Sequence, residues 1–314
     1  MLARAILARP QFPTHRMALR LDVFDDFHLH GASAPEWAQR YTQLSSGHMR
    51  SALVETTVPG LQVFRKWMSE RVAQQGCLPV GQLCFAMLAG AGMGQPWMQG
   101  RELGDNLLFV LRAGQEFMLQ RPPGMVLLAC SFNAEDFRRL LDARPWPPAA
   151  VALLSKSTVQ VPGPVLQALR ATLLGKPSAL GAFAALTAVF EAATVPVQRT
   201  GSASAGYIVA ECHRLVAGGG DDPAAIDTLC RRLRISQRSL QNGFRQVAET
   251  TPVNYLRSLR LNAVRQRLLA TPSGALSVSQ AAGDEGFEHL GHFGSRYRHL
   301  FGELPSQTLR KDAS

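Results

Sequence analysis

The chain has 314 residues, of which 46% are hydrophobic and 18% are charged. A chain of this length is expected to form two domains or one large domain. Its apolar content excludes intrinsic disorder, and no run approaches the ~18–20 apolar residues that a membrane-spanning helix requires. The composition also excludes collagen, coiled-coil and disulfide-scaffold classes. The sequence therefore predicts a soluble globular protein.

The chain is strongly basic. It carries 33 Lys and Arg against 23 Asp and Glu, which gives a formal net charge of +10. A strongly basic domain is typical of nucleic-acid binding, although only the location of the charge makes that informative. Arginine outnumbers lysine by 29 to 4, which fits bidentate recognition of phosphate and guanine. The same excess fits the codon usage of a GC-rich genome, so composition alone does not decide.

Cysteine usage and the N-terminus both bear on the compartment. The cysteines are five in number and form no C-x-x-C pair, which predicts reduced thiols. They are Cys77, Cys84, Cys130, Cys212 and Cys230. The first eleven residues hold only a four-residue apolar run between Arg4 and Arg9, too short for the core of a secretory signal. The prediction is a cytoplasmic protein.

A change in residue composition and periodicity divides the chain into two parts. Residues 196–206 are small and polar without periodicity, which predicts a flexible linker. Residues 1–195 would then form an N-terminal domain and residues 207–314 a C-terminal domain. In the first, short apolar runs at 83–88, 107–111 and 125–130 predict strands of a barrel or sandwich up to about residue 131. The predicted class is therefore a multidomain α+β protein with a β-rich N-terminal domain.

Helices follow the predicted strands of the N-terminal domain. Asn133 is placed to cap a helix whose Phe137, Leu140 and Leu141 recur at helical spacing. Two further amphipathic segments run over about 164–174 and 178–193. They are suited to pack on the β domain or on a second copy of the chain.

The C-terminal domain is predicted to be all helical because residues typical of helix caps recur along it. The capping residues are Asp222 before Pro223, Ser236, Thr251 before Pro252, and Ser277 in a capping box with Gln280. Gly302 is placed to end the last long helix. The helices are predicted over 223–234, 237–249, 252–269, 278–285 and 289–301, with a short helix after Pro305.

Two of these helix pairs have a sharp turn between short helices, which predicts two helix-turn-helix units. The second helix of each pair is expected to enter a major groove, and its solvent-facing side chains are the candidate base readers. Arginine suits guanine, and glutamine and asparagine suit adenine, through paired hydrogen bonds. In the first unit the candidates are Gln237, Arg238, Gln241, Asn242 and Arg245. In the second unit they are His289, His292, Ser295 and Arg296.

The basic charge is concentrated in the same region. From Arg231 to Arg267 there are nine arginines and a single acidic residue, Glu249, a net +8 that would neutralise several phosphates. The helix predicted over 252–269 would span about 27 Å at 1.5 Å per residue. Successive major-groove faces of B-DNA lie about 34 Å apart. One polypeptide is therefore expected to read two consecutive turns.

Residues from about 207 to 311 resemble the DNA-binding domain of the AraC/XylS family of bacterial transcription regulators. The resemblance is carried by the stretches 235–244, 251–261, 286–287 and 297–306. Within it, Leu-Gln-Asn-Gly-Phe (240–244), Arg-Leu-Asn-Ala-Val-Arg (260–265) and Gly-Phe-Glu-His-Leu-Gly-His-Phe (286–293) look similar to the branch that contains the ethanolamine-operon activator.

The resemblance implies roles for particular residues. Base contacts carry over to Arg238, Gln241 and Asn242, and phosphate contacts are assigned to Ser236, Thr251, Arg257 and Arg298. The second unit departs from the family pattern, because Ser295 stands where many relatives have Arg, and Leu290 and Gly291 stand where polar residues are frequent. Its base readout is expected to be weaker or different. For residues 1–195 the resemblance implies a cupin-like barrel that senses an effector, followed by dimerising helices.

The N-terminal domain also contains histidines and cysteines that could carry other chemistry. His28 and His30 would share one face of a strand, and His48 adds a third imidazole, but nothing nearby completes a metal set. Cys84 and Cys130 lie in apolar runs without a paired histidine, so they are interpreted as buried structural thiols, with redox sensing by one of them as the minor alternative. No catalytic residue, metal or cofactor is predicted.

The leading hypothesis is a transcription regulator, and not an enzyme, that reads double-stranded promoter DNA and is controlled by an effector or by dimerisation through the N-terminal domain. Its expected partners are promoter DNA, a second copy, a small-molecule effector and RNA polymerase, with no membrane. The alternative is an N-terminal metal-dependent sensor or enzyme tethered to DNA. A third hypothesis is regulation by a protein partner bound to the helices over 164–193.

Overall fold

The computed structural model describes residues 17–90, 92–196, 202–217, 226–272 and 274–308. Its strands are β1 (Ala18–Phe24), β2 (Arg40–Gln43), β3 (Ser51–Val58), β4 (Leu61–Met68), β5 (Val72–Cys77), β6 (Gln82–Gly90), β7 (Trp97–Met98), β8 (Arg101–Glu102), β9 (Leu107–Arg112), β10 (Glu116–Arg121), β11 (Val126–Asn133) and β12 (Thr158–Gln160). Its helices are α1 (Phe27–Ala32), α2 (Ala134–Ala143), α3 (Pro148–Leu153), α4 (Gly163–Leu174), α5 (Ala179–Ala192), α6 (Ser202–Ala217), α7 (Ile226–Leu233), α8 (Gln237–Ala248), α9 (Pro252–Ala270), α10 (Val278–Asp284) and α11 (Leu290–Phe301).

The strands form two antiparallel sheets. The large sheet has the order β1-β3-β4-β11-β6-β9-β12, and the small sheet has the order β2-β5-β10-β7-β8. The described strands leave these sheets separate, so the cupin-like barrel is not closed. The α+β class, with a β-rich N-terminal part and a helical C-terminal part, is confirmed.

The large sheet is the middle layer of the N-terminal domain. Along β6, Phe85 and Met87 pack in one core and Cys84 and Ala86 in another, so alternate side chains face opposite sides of the sheet. One face packs on the small sheet, and the other packs on α2, α4 and α5. A strand that is buried on both faces has an uninterrupted apolar sequence. For this reason the strands β6, β9 and β11 could be predicted from apolar runs in the sequence.

Helix α9 is the spine of the C-terminal domain. In its first half, Tyr255, Leu256 and Leu259 pack in the core of the first helix-turn-helix unit, together with Leu240 and Phe244 of α8. In its second half, side chains of α9 pack in the core of the second unit with those of α10 and α11. Because one continuous helix contributes to both cores, it fixes the two units relative to each other.

Both cores of the C-terminal domain also contain residues of the N-terminal domain. Trp97 of β7 packs in the core of the first unit, and Phe27, Tyr41 and Val72 pack in the core of the second. The amide of Asn262 on α9 pairs with the backbone of Gln43 on β2, donating to its carbonyl oxygen at 3.0 Å and accepting from its N–H at 2.9 Å. The two domains therefore pack together over the small sheet.

The structure differs from the sequence-based expectation at two places. Helix α6 begins at Ser202, inside the stretch 196–206 predicted as linker, and packs on α8. The small residues there have a packing role, because a Cβ added at Gly206 would overlap the carbonyl oxygen of Gly100. Residues 197–201 and the predicted cap at Asp222 lie outside the described residues. The second difference concerns His28 and His30, which lie on helix α1 and not on a strand.

Candidate DNA-binding surface

The first helix-turn-helix unit consists of α7 and α8. Arg234 takes the left-handed conformation in the turn, with φ at 54°, and the Ser236 hydroxyl caps α8 by accepting from the Ser239 N–H at 3.1 Å. Leu229 of α7 packs against Leu240 of α8 in the same core. The predicted unit is present, with α8 ending at Ala248 one residue earlier than expected.

Helix α8 presents all five predicted base readers to solvent. Gln237, Arg238, Gln241, Asn242 and Arg245 are exposed. Gln237 donates to the Asp227 carboxylate at 2.7 Å. The other four have no partner among the described residues. They are therefore free to form the paired hydrogen bonds with base edges that the residue types allow.

The second unit consists of α10 and α11. The predicted capping box is present, since Ser277 accepts from the Gln280 N–H and the Gln280 side chain accepts from the Ser277 N–H. His289 caps the start of α11 by its backbone alone, and His292, Ser295 and Arg296 are exposed. The Ser295 hydroxyl donates to the His292 carbonyl oxygen at 3.0 Å. This face offers one exposed cation and two imidazoles.

The predicted phosphate contacts are less uniform. The hydroxyls of Ser236 and Thr251 cap the N-termini of α8 and α9, so each residue lies at a helix N-terminus. A helix N-terminus favours anions. Arg298 is exposed on α11, and Arg257 is half-buried and donates to the Asn254 amide oxygen at 2.9 Å. All four residues lie in the C-terminal domain, and their contact with phosphate stays a prediction.

The structure adds Arg260 to the candidate set. Burial lowers the pKa of Arg257, and the charges of Arg296 and Arg260 lower it further. The guanidinium groups of Arg296 on α11 and Arg260 on α9 thus both repel that of Arg257. A phosphate would relieve that repulsion. Arg260 lies three residues after Arg257 on one helix face, which is the sequence signal that was overlooked.

Two arginines of the basic run have carboxylate partners within the protein. Arg265 is 7% exposed and pairs with Asp26 of the N-terminal domain at 2.7 Å and with Glu303 at 2.6 Å. Burial opposes the charge of Arg265, but these carboxylates outweigh it and raise its pKa. Arg267 pairs with Asp284 and Glu285. The net charge of the run therefore overstates what faces solvent.

The histidines weighed as metal ligands are placed differently from each other. His30 is buried and its Nδ1 lies 2.8 Å from the Ser51 hydroxyl; burial, with the charges of Lys66 and Arg121, lowers its pKa to about 2. His28 is partly buried, and burial lowers its pKa to about 4. In the described part of the chain, no group of three or more His, Cys, Asp or Glu is arranged to hold a metal. Burial raises the pKa of Cys84 to about 12, as expected of a structural thiol.

The space between the two sheets contains two buried cations. Lys66 donates to the Gln39 amide oxygen at 2.8 Å. Arg121 donates to the Gln74 amide oxygen at 3.2 Å and to the carbonyl oxygens of Lys66 and Met125 at 3.0 and 3.3 Å. The Nε of Arg121 has no partner in the described structure, and neither cation pairs with a described carboxylate. Burial, reinforced by Arg121, lowers the pKa of Lys66 to about 7. Sequence reasoning missed this pair because nothing local marks two strand cations as inward-facing.

Comparison with known proteins bears on the C-terminal domain. A family model described as a helix-turn-helix domain matches residues 229–311. The XylDLEGF operon transcriptional activator of Pseudomonas putida is 42% identical over 87 residues, which are 28% of this chain and 27% of that protein. The probable thc operon regulatory protein of Rhodococcus erythropolis is 35% identical over 88 residues, which are 28% of this chain and 26% of that protein. The chain thus spans little more than a quarter of each of these relatives.

Two solved structures overlap with the chain loosely. The AraC-like transcriptional activator CuxR is 14% identical, with a TM-score of 0.43 over 78% of this chain and 94% of that one. An RmlC-like cupin from Shewanella frigidimarina NCIMB 400 is 14% identical, with a TM-score of 0.21 over 32% of this chain and 88% of that one. No helix among the described residues is long and apolar enough to cross a membrane. Residues 229–311 thus form a helix-turn-helix domain, and this part of the chain is similar to the corresponding part of these AraC/XylS-type regulators.

Proposed function

We propose that this protein is a sequence-specific regulator of transcription that binds double-stranded promoter DNA. The observation that carries the proposal is the solvent-facing row on α8, where Arg238, Gln241, Asn242 and Arg245 have no partner in the described structure. Exposed arginine, glutamine and asparagine on the second helix of a helix-turn-helix unit are the side chains that read guanine and adenine.

The spacing of the two units supports reading of consecutive major grooves. Helix α9 has 19 residues, which is about 28 Å at 1.5 Å per residue. Grooves on one side of B-DNA repeat at about 34 Å. Arg257, Arg260 and Arg296 would neutralise phosphates beside the second groove, which makes the affinity dependent on salt.

The regulator acts as a homodimer in the cytoplasm, and an effector bound by the N-terminal domain alters how the pair engages promoter DNA and RNA polymerase. The support for an effector is the buried pair of Lys66 and Arg121, whose charges lack a carboxylate partner among the described residues. Buried charges are costly unless they are paired. An organic anion is the class of effector that would supply the missing negative charge.

An N-terminal enzyme or metal-dependent sensor is not favoured. His28 and His30 lie on a short helix, and the Nδ1 of His30 is engaged with Ser51. No geometry among the described residues brings His48 to them as a third ligand. The alternative of a protein partner on α4 and α5 has little surface to use, since Leu166, Leu169, Phe183 and Leu186 are buried in the large-sheet core.

The DNA-binding proposal is tested by selecting bound fragments from genomic DNA with the full-length protein and then measuring affinity for the recovered site. Arg238→Ala is expected to cost about 1–3 kcal/mol and to relax specificity at one base position. The matched control is Arg139→Ala, because Arg139 is an exposed arginine on α2 of the N-terminal domain. Failure to enrich any sequence, or equal affinities for the two variants, contradicts the proposal.

The effector is tested separately by thermal unfolding with hexanoate and with its neutral analogue hexanamide. Hexanoate is expected to raise the melting temperature of the wild type more than hexanamide does, and Lys66→Met is expected to abolish that difference. Equal shifts for both compounds would remove the anionic effector from the proposal while leaving DNA binding untouched.

A further inference from the structure

Strand β1 is an exposed edge of the large sheet. It pairs with β3 on one side, and none of the described strands pairs with its other side. A free edge presents unpaired N–H and C=O groups, and natural proteins usually protect such an edge with charge, proline or a bulge. Of these devices β1 has only the two charged side chains Arg20 and Asp22.

The side chains of β1 expose apolar surface at this edge. Leu19, Leu21 and Val23 share one face and are 69%, 65% and 73% exposed. Three apolar side chains this exposed in alternation on one strand are unusual for a surface that stays in water. The helices α2, α4 and α5 cover the same face of the sheet further along, and they leave this end open.

The two charges sit symmetrically about Leu21. Arg20 and Asp22 lie on the opposite face of the strand, and they form an ion pair with each other. If a second β1 pairs antiparallel across a twofold axis through Leu21, Arg20 of each copy faces Asp22 of the other. In the same register Leu19 faces Val23, so every cross-strand pair is complementary.

We infer that β1 is a homodimerisation edge, on which a second copy of this chain pairs antiparallel about Leu21. The surface specifies the dimer in the proposed function and rests on that part of it. The self-complementary charges favour a second copy, because an antiparallel β1 segment supplies the opposite charge at both positions. Two large sheets then join into one continuous sheet, with the apolar faces side by side at the seam.

The inference has a complementation test in which two defective variants repair one another. Arg20→Asp places two carboxylates opposite each other at both ends of the pair, and Asp22→Arg does the same with two guanidinium groups. Each variant alone is expected to weaken the dimer about tenfold or more, since like charges directly opposite are destabilising in both symmetric positions. In a mixture, both carboxylates of the first variant face guanidinium groups of the second, so a one-to-one heterodimer is expected to form.

The measurement is sedimentation velocity of the full-length chains without DNA, with native mass spectrometry to identify the mixed species. Both substitutions also remove the ion pair within one strand, and mixing does not restore that pair, so recovery arises only between copies. Arg139→Asp on α2 is the control for adding a carboxylate to the N-terminal domain. Circular dichroism of each variant checks that it is folded.

Each outcome of this experiment either supports or overturns the β1 dimer edge. Weakened single variants together with a one-to-one heterodimer support the edge. A wild type that stays monomeric, single variants that dimerise as the wild type does, or a mixture without heterodimer each overturn it. A protein that enriches a DNA sequence yet fails this test would keep the proposed DNA binding and lose only the dimer surface.

Discussion

The two helix-turn-helix units share one architecture but differ in what they show to DNA. The first presents Arg238, Gln241 and Asn242, which have no partner in the described structure. In the second, Leu290 is exposed at the start of α11 and the Ser295 hydroxyl donates to the backbone of the same helix. The exposed face is therefore made of unpartnered arginine and amide side chains on α8, and of imidazoles, a serine and Arg296 on α11.

The units also differ in how they join the N-terminal domain. The first is joined by the hydrogen bond that the Gln120 amide donates to the Tyr255 hydroxyl at 2.9 Å, and by the ion pair of Arg71 with the half-exposed Glu249. Within the C-terminal domain, the same hydroxyl lies 2.7 Å from the Nδ1 of His213 on α6. The second is joined by the buried ion pair of Arg265 with Asp26 and by the two hydrogen bonds between Asn262 and the backbone of Gln43. A buried pair is costly to break on one side only. Removal of one partner is therefore expected to cost more at the joint of the second unit than at the joint of the first.

The largest expected effect tests the buried ion pair between Arg265 and Asp26. Arg265→Ala leaves Asp26 buried without its partner and is expected to lower the free energy of unfolding by about 3–5 kcal/mol. The control is Arg267→Ala on the same helix, whose ion pairs are more exposed and should contribute no more than about 1 kcal/mol. Denaturant unfolding of both variants gives the two values. If they are equal, the second unit is not anchored by charge.

The next effect concerns the first unit. Tyr255→Phe removes a hydroxyl that contacts both Gln120 and His213, and it leaves their buried polar atoms unsatisfied. The expected loss is about 1–3 kcal/mol in the free energy of unfolding. Tyr207→Phe serves as the control, because Tyr207 is 61% exposed. A loss at Tyr255 as large as that at Arg265 would erase the contrast between the two joints.

Acid is expected to act on the joint of the first unit. Burial, with the charge of Arg40, lowers the pKa of His213 to about 3 from 6.5. Because the folded-state pKa is depressed, stability is complete above about pH 6.5 and is lost as the pH falls from there towards 3. Each such group contributes up to about 1.4 kcal/mol per pH unit in that window.

The acid effect is measured by comparing wild type and His213→Gln in denaturant unfolding at pH 7 and at pH 5.5. The variant is expected to lose less stability over that interval. His28 and His30, whose pKa values are also lowered by burial, keep part of the slope in both proteins. Identical slopes would show that the joint of the first unit is insensitive to protonation of His213.

The smallest expected effect restores a family feature to the second unit. Ser295→Arg places a cation on the exposed face of α11 and is expected to raise DNA affinity by less than about 1 kcal/mol, with a steeper dependence on salt. The control is Ser279→Arg on α10, an exposed serine outside the second helix of the unit. Gains of equal size at both positions would mean that added charge alone is responsible.

Local signals made the C-terminal domain predictable from sequence. Caps such as Ser236, Ser277 and Gly302 mark helix ends within one turn of chain, and the observed helices begin or end at those residues. The strands β6, β9 and β11 were predictable for a similar reason, because burial on both faces leaves unbroken apolar runs.

Other features depend on partners that are distant in sequence. Arg265 belongs to a basic run, and only its contact with Asp26, 239 residues away, shows that it faces inward. Helix α1 has six residues, too few for a helical period to emerge. Lys66 and Arg121 lie on different sheets, so their proximity follows from how the sheets pack. Sequence patterns report one element at a time, and these features arise between elements.

Asn262 has a consequence for work with separate domains. Its amide completes the hydrogen bonding of Gln43 on β2, which is the outermost strand of the small sheet. In an isolated N-terminal fragment, the backbone of Gln43 would therefore lack these hydrogen bonds, and the apolar side chains around β2 would be exposed to water. Such a fragment should precipitate or pair with itself, and its oligomers would be artefacts of truncation.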